Sequence, residues 1–145
     1  MTDGPVTFLL VEDDDIHAHL VSRSMGRACG NNQLIRVADG AEALAFLRRQ
    51  GCYGDVPRPD VVLLDLKLPK IDGHEVLAAI KEDKDLQMIP VVVMTTSRAE
   101  SDLAKAYEHH ANSYVVKPVD FQKFQQLVKD LSVYWGAWNE PPCAD

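Results

Sequence analysis

Five short apolar runs, each followed by a longer segment of helical period, constrain this chain more than any other feature. The first run is Val6-Thr7-Phe8-Leu9-Leu10-Val11, and the residues after it place Ala18, Val21, Met25 and Ala28 on one stripe, the spacing of a helix with one buried face. Leu34-Ile35-Arg36-Val37 precedes a helical segment over 40–50, and Val61-Val62-Leu63-Leu64 precedes one over 73–83. Val91-Val92-Val93-Met94 is followed by one over 98–109, and Tyr114-Val115-Val116 by one over 120–135. Three of these strands are apolar throughout instead of alternating, which is how strands read when helices cover both faces of a sheet. The pattern predicts five βα units in a parallel, doubly wound sheet. Asp39-Gly40 and Asp72-Gly73 mark the starts of the second and third helices, Ser97-x-x-Glu100 has the form of a capping box for the fourth, and Gly51 to Pro59 has the composition of a loop.

A chain of 145 residues with 46% apolar and 26% charged residues is long enough for one sizeable core and too apolar for a disordered segment. No apolar run approaches the roughly 18 residues that a membrane span requires. Met1-Thr2-Asp3-Gly4-Pro5 has neither the basic nor the apolar part of a secretory signal, so a cytoplasmic location is expected. A net charge of −7 without any Lys/Arg cluster argues against direct nucleic-acid binding. Cys29, Cys52 and Cys143 are odd in number and lack C-x-x-C spacing, so neither a disulfide framework nor a zinc site is indicated.

Ligands of such sheets bind beyond the carboxyl ends of the strands. Glu12-Asp13-Asp14-Asp15 follow the first strand, Asp65 the third, Thr95-Thr96-Ser97 the fourth and Lys117-Pro118 the fifth. Neighbouring first and third strands would bring Glu12, Asp13 and Asp65 together, and three carboxylates need a cation to share that space fully ionised. Mg²⁺ or Mn²⁺ suits an all-oxygen set. The Thr95 hydroxyl and the Lys117 ammonium suit the oxygens of a phosphoryl group, with Asp65 between them as a carboxylate nucleophile. Asp14 and Asp15 read as cap or solvated charges. The five histidines read as non-catalytic: His17 and His19 face different directions, and His74-Glu75-Val76-Leu77-Ala78 lacks the second His of a zinc-protease helix.

Glu12-Asp13, Leu63-Leu64-Asp65-Leu66-Lys67-Leu68-Pro69-Lys70-Ile71-Asp72-Gly73, Thr95 and Ser113-Tyr114-Val115-Val116-Lys117-Pro118 resemble the receiver domain of two-component response regulators over residues 6–131. The resemblance implies a flavodoxin-like (βα)5 fold with strand order 2-1-3-4-5, and a phosphoryl-accepting role in a phosphorelay fed by a histidine kinase. It also implies site roles. Asp65 would be the phosphoacceptor, with Glu12, Asp13, Asp65 and the Lys67 carbonyl around Mg²⁺ or Mn²⁺. Thr95 and Lys117 would contact the phosphoryl oxygens, Thr95 and Tyr114 would form the switch, and Lys117-Pro118 would be a cis peptide. Glu12 stands where Asp is more usual, Thr96 where a smaller residue is common, and His110 at a helix end where Gly is frequent.

Tyr134-Trp135-Gly136-Ala137-Trp138-Asn139-Glu140-Pro141-Pro142, together with Val93-Met94-Thr95-Thr96-Ser97, resemble the single-domain regulators that partner bacterial and cyanobacterial phytochromes. The implied partner is a phytochrome kinase. Residues 132–145 are expected to form an aromatic tail extending the last helix, with no separate effector domain, so that output runs through protein contacts. Phe121, Tyr134, Trp135 and Trp138 are the candidates for a homodimer surface, because clustered exposed aromatics mark interfaces. Two other readings compete. A phosphorylation-independent interaction module would dispense with the acceptor set. An aspartyl-nucleophile phosphatase wants an acid two residues after Asp65, where Lys67 stands.

Overall fold

The computed structural model describes residues 6–28 and 32–140, with side chains described at 6–25 and 32–140. The leader Met1 to Pro5, Cys29, Cys143, the side chain of Ala28 and the end of the tail, Pro141-Pro142 included, lie outside the described residues. The elements alternate as expected: β1 (Thr7–Val11), α1 (Asp15–Ala28), β2 (Gln33–Val37), α2 (Gly40–Leu47), β3 (Val61–Leu64), α3 (Gly73–Glu82), β4 (Val91–Thr95), α4 (Glu100–Glu108), β5 (Ser113–Val116) and α5 (Phe121–Val133). A 3₁₀ turn at Gly51–Tyr53 interrupts the loop before β3, and a π-helical turn at Tyr134–Trp138 follows α5. No helix among the described residues is long and apolar enough to cross a membrane.

The five strands are parallel and ordered β2-β1-β3-β4-β5, the expected flavodoxin-like arrangement. Because side chains alternate across a strand, Leu9, Val11, Val62, Leu64, Val91 and Val93 pack on one face against α2, α3 and α4. Phe8, Leu10, Val61, Leu63, Val92 and Met94 pack on the other face against α1 and α5. The three central strands are thus buried on both sides, and the edge strands β2 and β5 only partly.

Local chemistry sets the helix starts. The Asp39 carboxylate accepts from Glu42 N at 2.7 Å, and that of Asp72 from His74 N at 3.0 Å. Asp14 accepts from Ile16 N at 2.9 Å and His17 N at 3.2 Å, so one acid of the Glu12–Asp15 run starts α1. The fourth helix differs from expectation. Ser97 is not its cap; α4 begins at Glu100 behind Ala99, which offers no capping side chain. The Ser97 hydroxyl instead donates to Asp102 at 2.6 Å, five residues on in the first turn of α4, a partner that a capping box does not include. His110 ends the α4 segment at φ 67, the left-handed conformation that more often falls to glycine.

The tail also corrects one expectation. Trp135 is buried and packs with Phe124 and Val128 on the α1/α5 face of the sheet. The π turn, closed by Asn139 N donating to Tyr134 O at 2.7 Å, keeps Trp135 on the stripe that Phe124 and Val128 begin, so its burial within the chain removes it from a dimer surface. Tyr134, Trp138 and Phe121 are 52%, 75% and 53% exposed.

Candidate functional site

Register brings the strand-end residues together. Val11 pairs with Leu64, so Glu12 and Asp65 emerge side by side, and Asp65 N donates to Val11 O at 3.1 Å. This is the point at which the strand order reverses, where open α/β sheets form their binding crevice. Thr95 pairs with Val116, and Lys117 N donates to Thr95 O at 2.7 Å. The loop after β3 is pressed inward by α3: Gly73 N donates to Leu66 O at 2.9 Å, and a Cβ on Gly73 would stand 2.3 Å from Asp65 O. Only glycine admits that approach.

One ligand oxygen from each of Glu12, Asp13 and Asp65 lies within 4.8 Å of the others. Asp13 is exposed, whereas Glu12 and Asp65 are buried. Lys117 Nζ, itself buried, donates to Asp65 Oδ2 at 2.9 Å and to Glu12 Oε1. The Asp65 carboxylate also accepts from Lys67 N at 3.2 Å on Oδ1. Burial pushes the Glu12 carboxyl up to about 7, against the lowering pull of the Lys117 ammonium and with a further upward push from Asp65. Desolvation outweighs the ion pair here. One ammonium therefore leaves the cluster short of positive charge, and a second cation or a proton makes up the difference. The donor set is entirely oxygen, which fits a hard divalent ion.

Around this cluster, Thr95 is fully buried at the end of β4. Tyr114, half-buried on β5, donates its hydroxyl to Ser97 O at 3.1 Å, and desolvation holds its pKa above the ordinary phenol value. The Lys117–Pro118 peptide is not cis: every peptide bond among the described residues is trans. An X-Pro bond favours trans by about 0.5–1 kcal/mol, and with trans geometry Lys117 already reaches both Thr95 O and the two carboxylates.

Sequence reasoning passed over His17. Its Nδ1 lies 3.0 Å from Lys117 Nζ, and its ring stacks obliquely on Phe124 with centroids 5.6 Å apart. A lysine ammonium only donates, so the His17 nitrogen accepts, and the third Lys117 proton is satisfied. The available signal was Asp14-x-x-His17, which puts His17 on the first turn of a helix opening at the acidic rim. Arg36 was likewise unremarked; its Nε donates to Glu12 O at 2.9 Å and its Nη2 meets Asp15 at 2.9 Å.

The family model of the response regulator receiver domain matches residues 8–129. The chain belongs to the response regulator receiver domain family. Receiver domains accept phosphate from histidine kinases and bind a divalent metal, so this receiver is a two-component signalling protein. It is 44% identical over 141 residues to the probable methanogenesis regulatory protein FilR2 of Methanothrix harundinacea, covering 97% of this chain and 90% of that one. The phosphorylated cyanobacterial phytochrome response regulator RcpA superposes with a TM-score of 0.93 at 38% identity, covering 97% of this receiver and all of RcpA. The Mn²⁺-bound form of response regulator Rcp1 superposes at 0.92 with 42% identity, covering 96% and 100%; Rcp1 comes from Synechocystis sp.. The receiver is thus close to the phytochrome-associated single-domain response regulators.

Proposed function

We propose that Asp65 is the phosphoryl acceptor of this receiver. The observation that carries the reading is the placement of its carboxylate at the strand-order reversal, with Lys117 Nζ at 2.9 Å on one oxygen and Glu12 and Asp13 beside it. An Asp65 oxygen attacks the phosphorus of a kinase phosphohistidine. The P–O bond forms as the P–N bond breaks, and the imidazole nitrogen keeps the electron pair and takes a proton from solvent. Lys117 and Thr95 donate to the phosphoryl oxygens, where fixed donors lower the barrier by stabilising developing charge. Glu12, Asp13, Asp65 and the Lys67 carbonyl would hold Mg²⁺ or Mn²⁺, which supplies positive charge against the same oxygens. Later attack of water on phosphorus returns Asp65 and releases phosphate, so turnover is limited to the receiver's own phosphoryl group.

The acyl phosphate then biases a switch formed by Thr95 and Tyr114, and the output is protein contact. A phytochrome histidine kinase is the donor that the likeness to the phytochrome response regulator RcpA favours. Exposed Tyr134, Trp138 and Phe121 form, with the α4-β5-α5 face, the surface for a homodimer. The receiver works in the cytoplasm without contacting nucleic acid directly, in keeping with its net charge of −7. Acetyl phosphate should label the wild-type protein in a Mg²⁺-dependent manner and leave Asp65→Asn unlabelled; equal labelling of the two excludes Asp65. Phosphotransfer assays against a panel of histidine kinases, phytochromes included, test the donor, and preference for an unrelated kinase removes the phytochrome assignment.

A further inference from the structure

A second polar cluster ties α3 to the end of β4. His74, on the first turn of α3, is buried and places Nε2 3.1 Å from Asp102 Oδ1 on the first turn of α4. Asp102 Oδ2 accepts from Ser97 Oγ at 2.6 Å. Ser97 Oγ in turn accepts from Ala99 N at 3.2 Å, and Ser97 O accepts from Tyr114 OH at 3.1 Å. Ser97 N donates to Thr95 Oγ1 at 3.3 Å. The chain of contacts therefore runs from His74 through Asp102 and Ser97 to the hydroxyl at the phosphoryl site.

Donor and acceptor roles along it are fixed by chemistry. A carboxylate only accepts, so Nε2 of His74 carries the hydrogen. The other ring nitrogen is buried and has no partner among the described residues, which suits a bare lone pair better than an N–H. At the far end, the Ser97 amide occupies a lone pair of Thr95 Oγ1 and leaves the Thr95 proton free to be donated elsewhere. The fastening also matters for α4. Among the described residues this helix buries Ala106 alone, and its cap, Ala99, has no side-chain bond. Apolar packing thus holds α4 weakly, and the bonds to Asp102 set where its first turn, and with it Ser97, sits.

We propose that His74 and Asp102 are positioning residues for phosphoryl transfer: through Ser97 they hold the Thr95 hydroxyl as a donor aimed at the acceptor site. The role rests on Asp65 as acceptor. It joins two groups 28 residues apart in the sequence, and it gives a buried histidine a task without making it touch the phosphoryl group.

The experiment follows acetyl phosphate labelling of the full chain at saturating Mg²⁺ for wild type, Asp65→Asn, Asp102→Ala, Asp102→Asn, His74→Phe and His74→Gln. Asp102→Ala and His74→Phe should lower the maximal labelling rate about tenfold, with half-saturating acetyl phosphate and Mg²⁺ affinity unchanged. His74→Gln, which can still donate to Asp102, should recover most of it, and Asp102→Asn, which can accept on one side only, part of it. Nitrogen NMR of wild-type His74 should show a protonated Nε2 and a bare Nδ1, and the Nε2 signal should shift in Asp102→Ala. Labelling of Asp102→Ala at the wild-type rate overturns the proposal. So does equal slowing by Phe and Gln at position 74 in proteins of equal urea midpoint, because a merely structural role predicts that result. Labelling of Asp65→Asn instead overturns the acceptor reading, and the relay's role with it.

Discussion

Lys117 Nζ reaches Asp65 Oδ2 at 2.9 Å across the intervening strand β4, while also donating to Glu12 and to His17. One ammonium therefore serves two buried carboxylates and an imidazole. The consequence is that the site's charge balance hangs on a single side chain.

Removing it should be costly in two ways. Lys117→Ala leaves Glu12 and Asp65 uncompensated, and loss of one partner of a buried pair typically costs about 3 kcal/mol or more. Urea unfolding at neutral pH without divalent cation should show that loss, and added Mg²⁺ should restore part of it. Acetyl phosphate labelling should fall about 100-fold, the effect of deleting one charge-stabilising donor.

Glu12 predicts the pH response of the cation-free protein. Its carboxyl is held up at about 7, compared with an ordinary value of 4.5. The folded chain then binds more protons than the unfolded chain between those values. That contribution to stability is fully present below the lower value and is lost as pH rises through the upper one. Wild type should therefore gain stability relative to Glu12→Gln as pH falls from about 8 to about 5, measured by urea midpoints. Saturating Mg²⁺, which favours the ionised carboxylate, should flatten the difference.

Gly73→Ala tests the close approach of α3 to the acceptor strand. A methyl there meets Asp65 O at 2.3 Å and Leu66 Cα at 2.5 Å, both backbone atoms that cannot swing aside. Overpacking of this kind costs about 1–3 kcal/mol, and the relief of the clash displaces Asp65. Thermal unfolding should register the first effect, and slower acetyl phosphate labelling the second.

The two tryptophans should separate cleanly. Trp135→Ala empties a site in the α1/α5 core and should destabilise the fold by about 3–5 kcal/mol. Trp138, 75% exposed, should cost little stability when replaced by alanine but should lower self-association in sedimentation velocity. An unchanged sedimentation profile for Trp138→Ala refutes the tail's part in a dimer.

The sheet was legible because β1, β3 and β4 are apolar on both faces, a composition that only a covered parallel strand requires. Asp39 and Asp72 declared their helices because the bonds they make are local. Ser97 misled although its bond is also local: its hydroxyl goes to Asp102, five residues on, a spacing that the capping-box pattern does not contain. His17 was invisible because its importance lies in Lys117, 100 residues away, and no periodicity links the two. Trp135 lay on the same stripe as Phe124 and Val128, so its burial was available in the spacing, but the cluster of aromatics around it suggested a surface. The trans Lys117–Pro118 bond shows the limit of arguing a backbone state from a motif.

The contact between Gly73 and the Asp65 carbonyl has a mechanical consequence. With room for a hydrogen and nothing larger, β3 and α3 form a single stiff strut behind Asp65, and a group added to its carboxylate, as proposed, meets a side that does not yield. Displacement is channelled to the opposite bank, where α4 is fastened by a few polar bonds and one buried alanine. The molecule is thus hard on one flank and soft on the other, and on the proposed reading a phosphoryl group on Asp65 acts through the soft one.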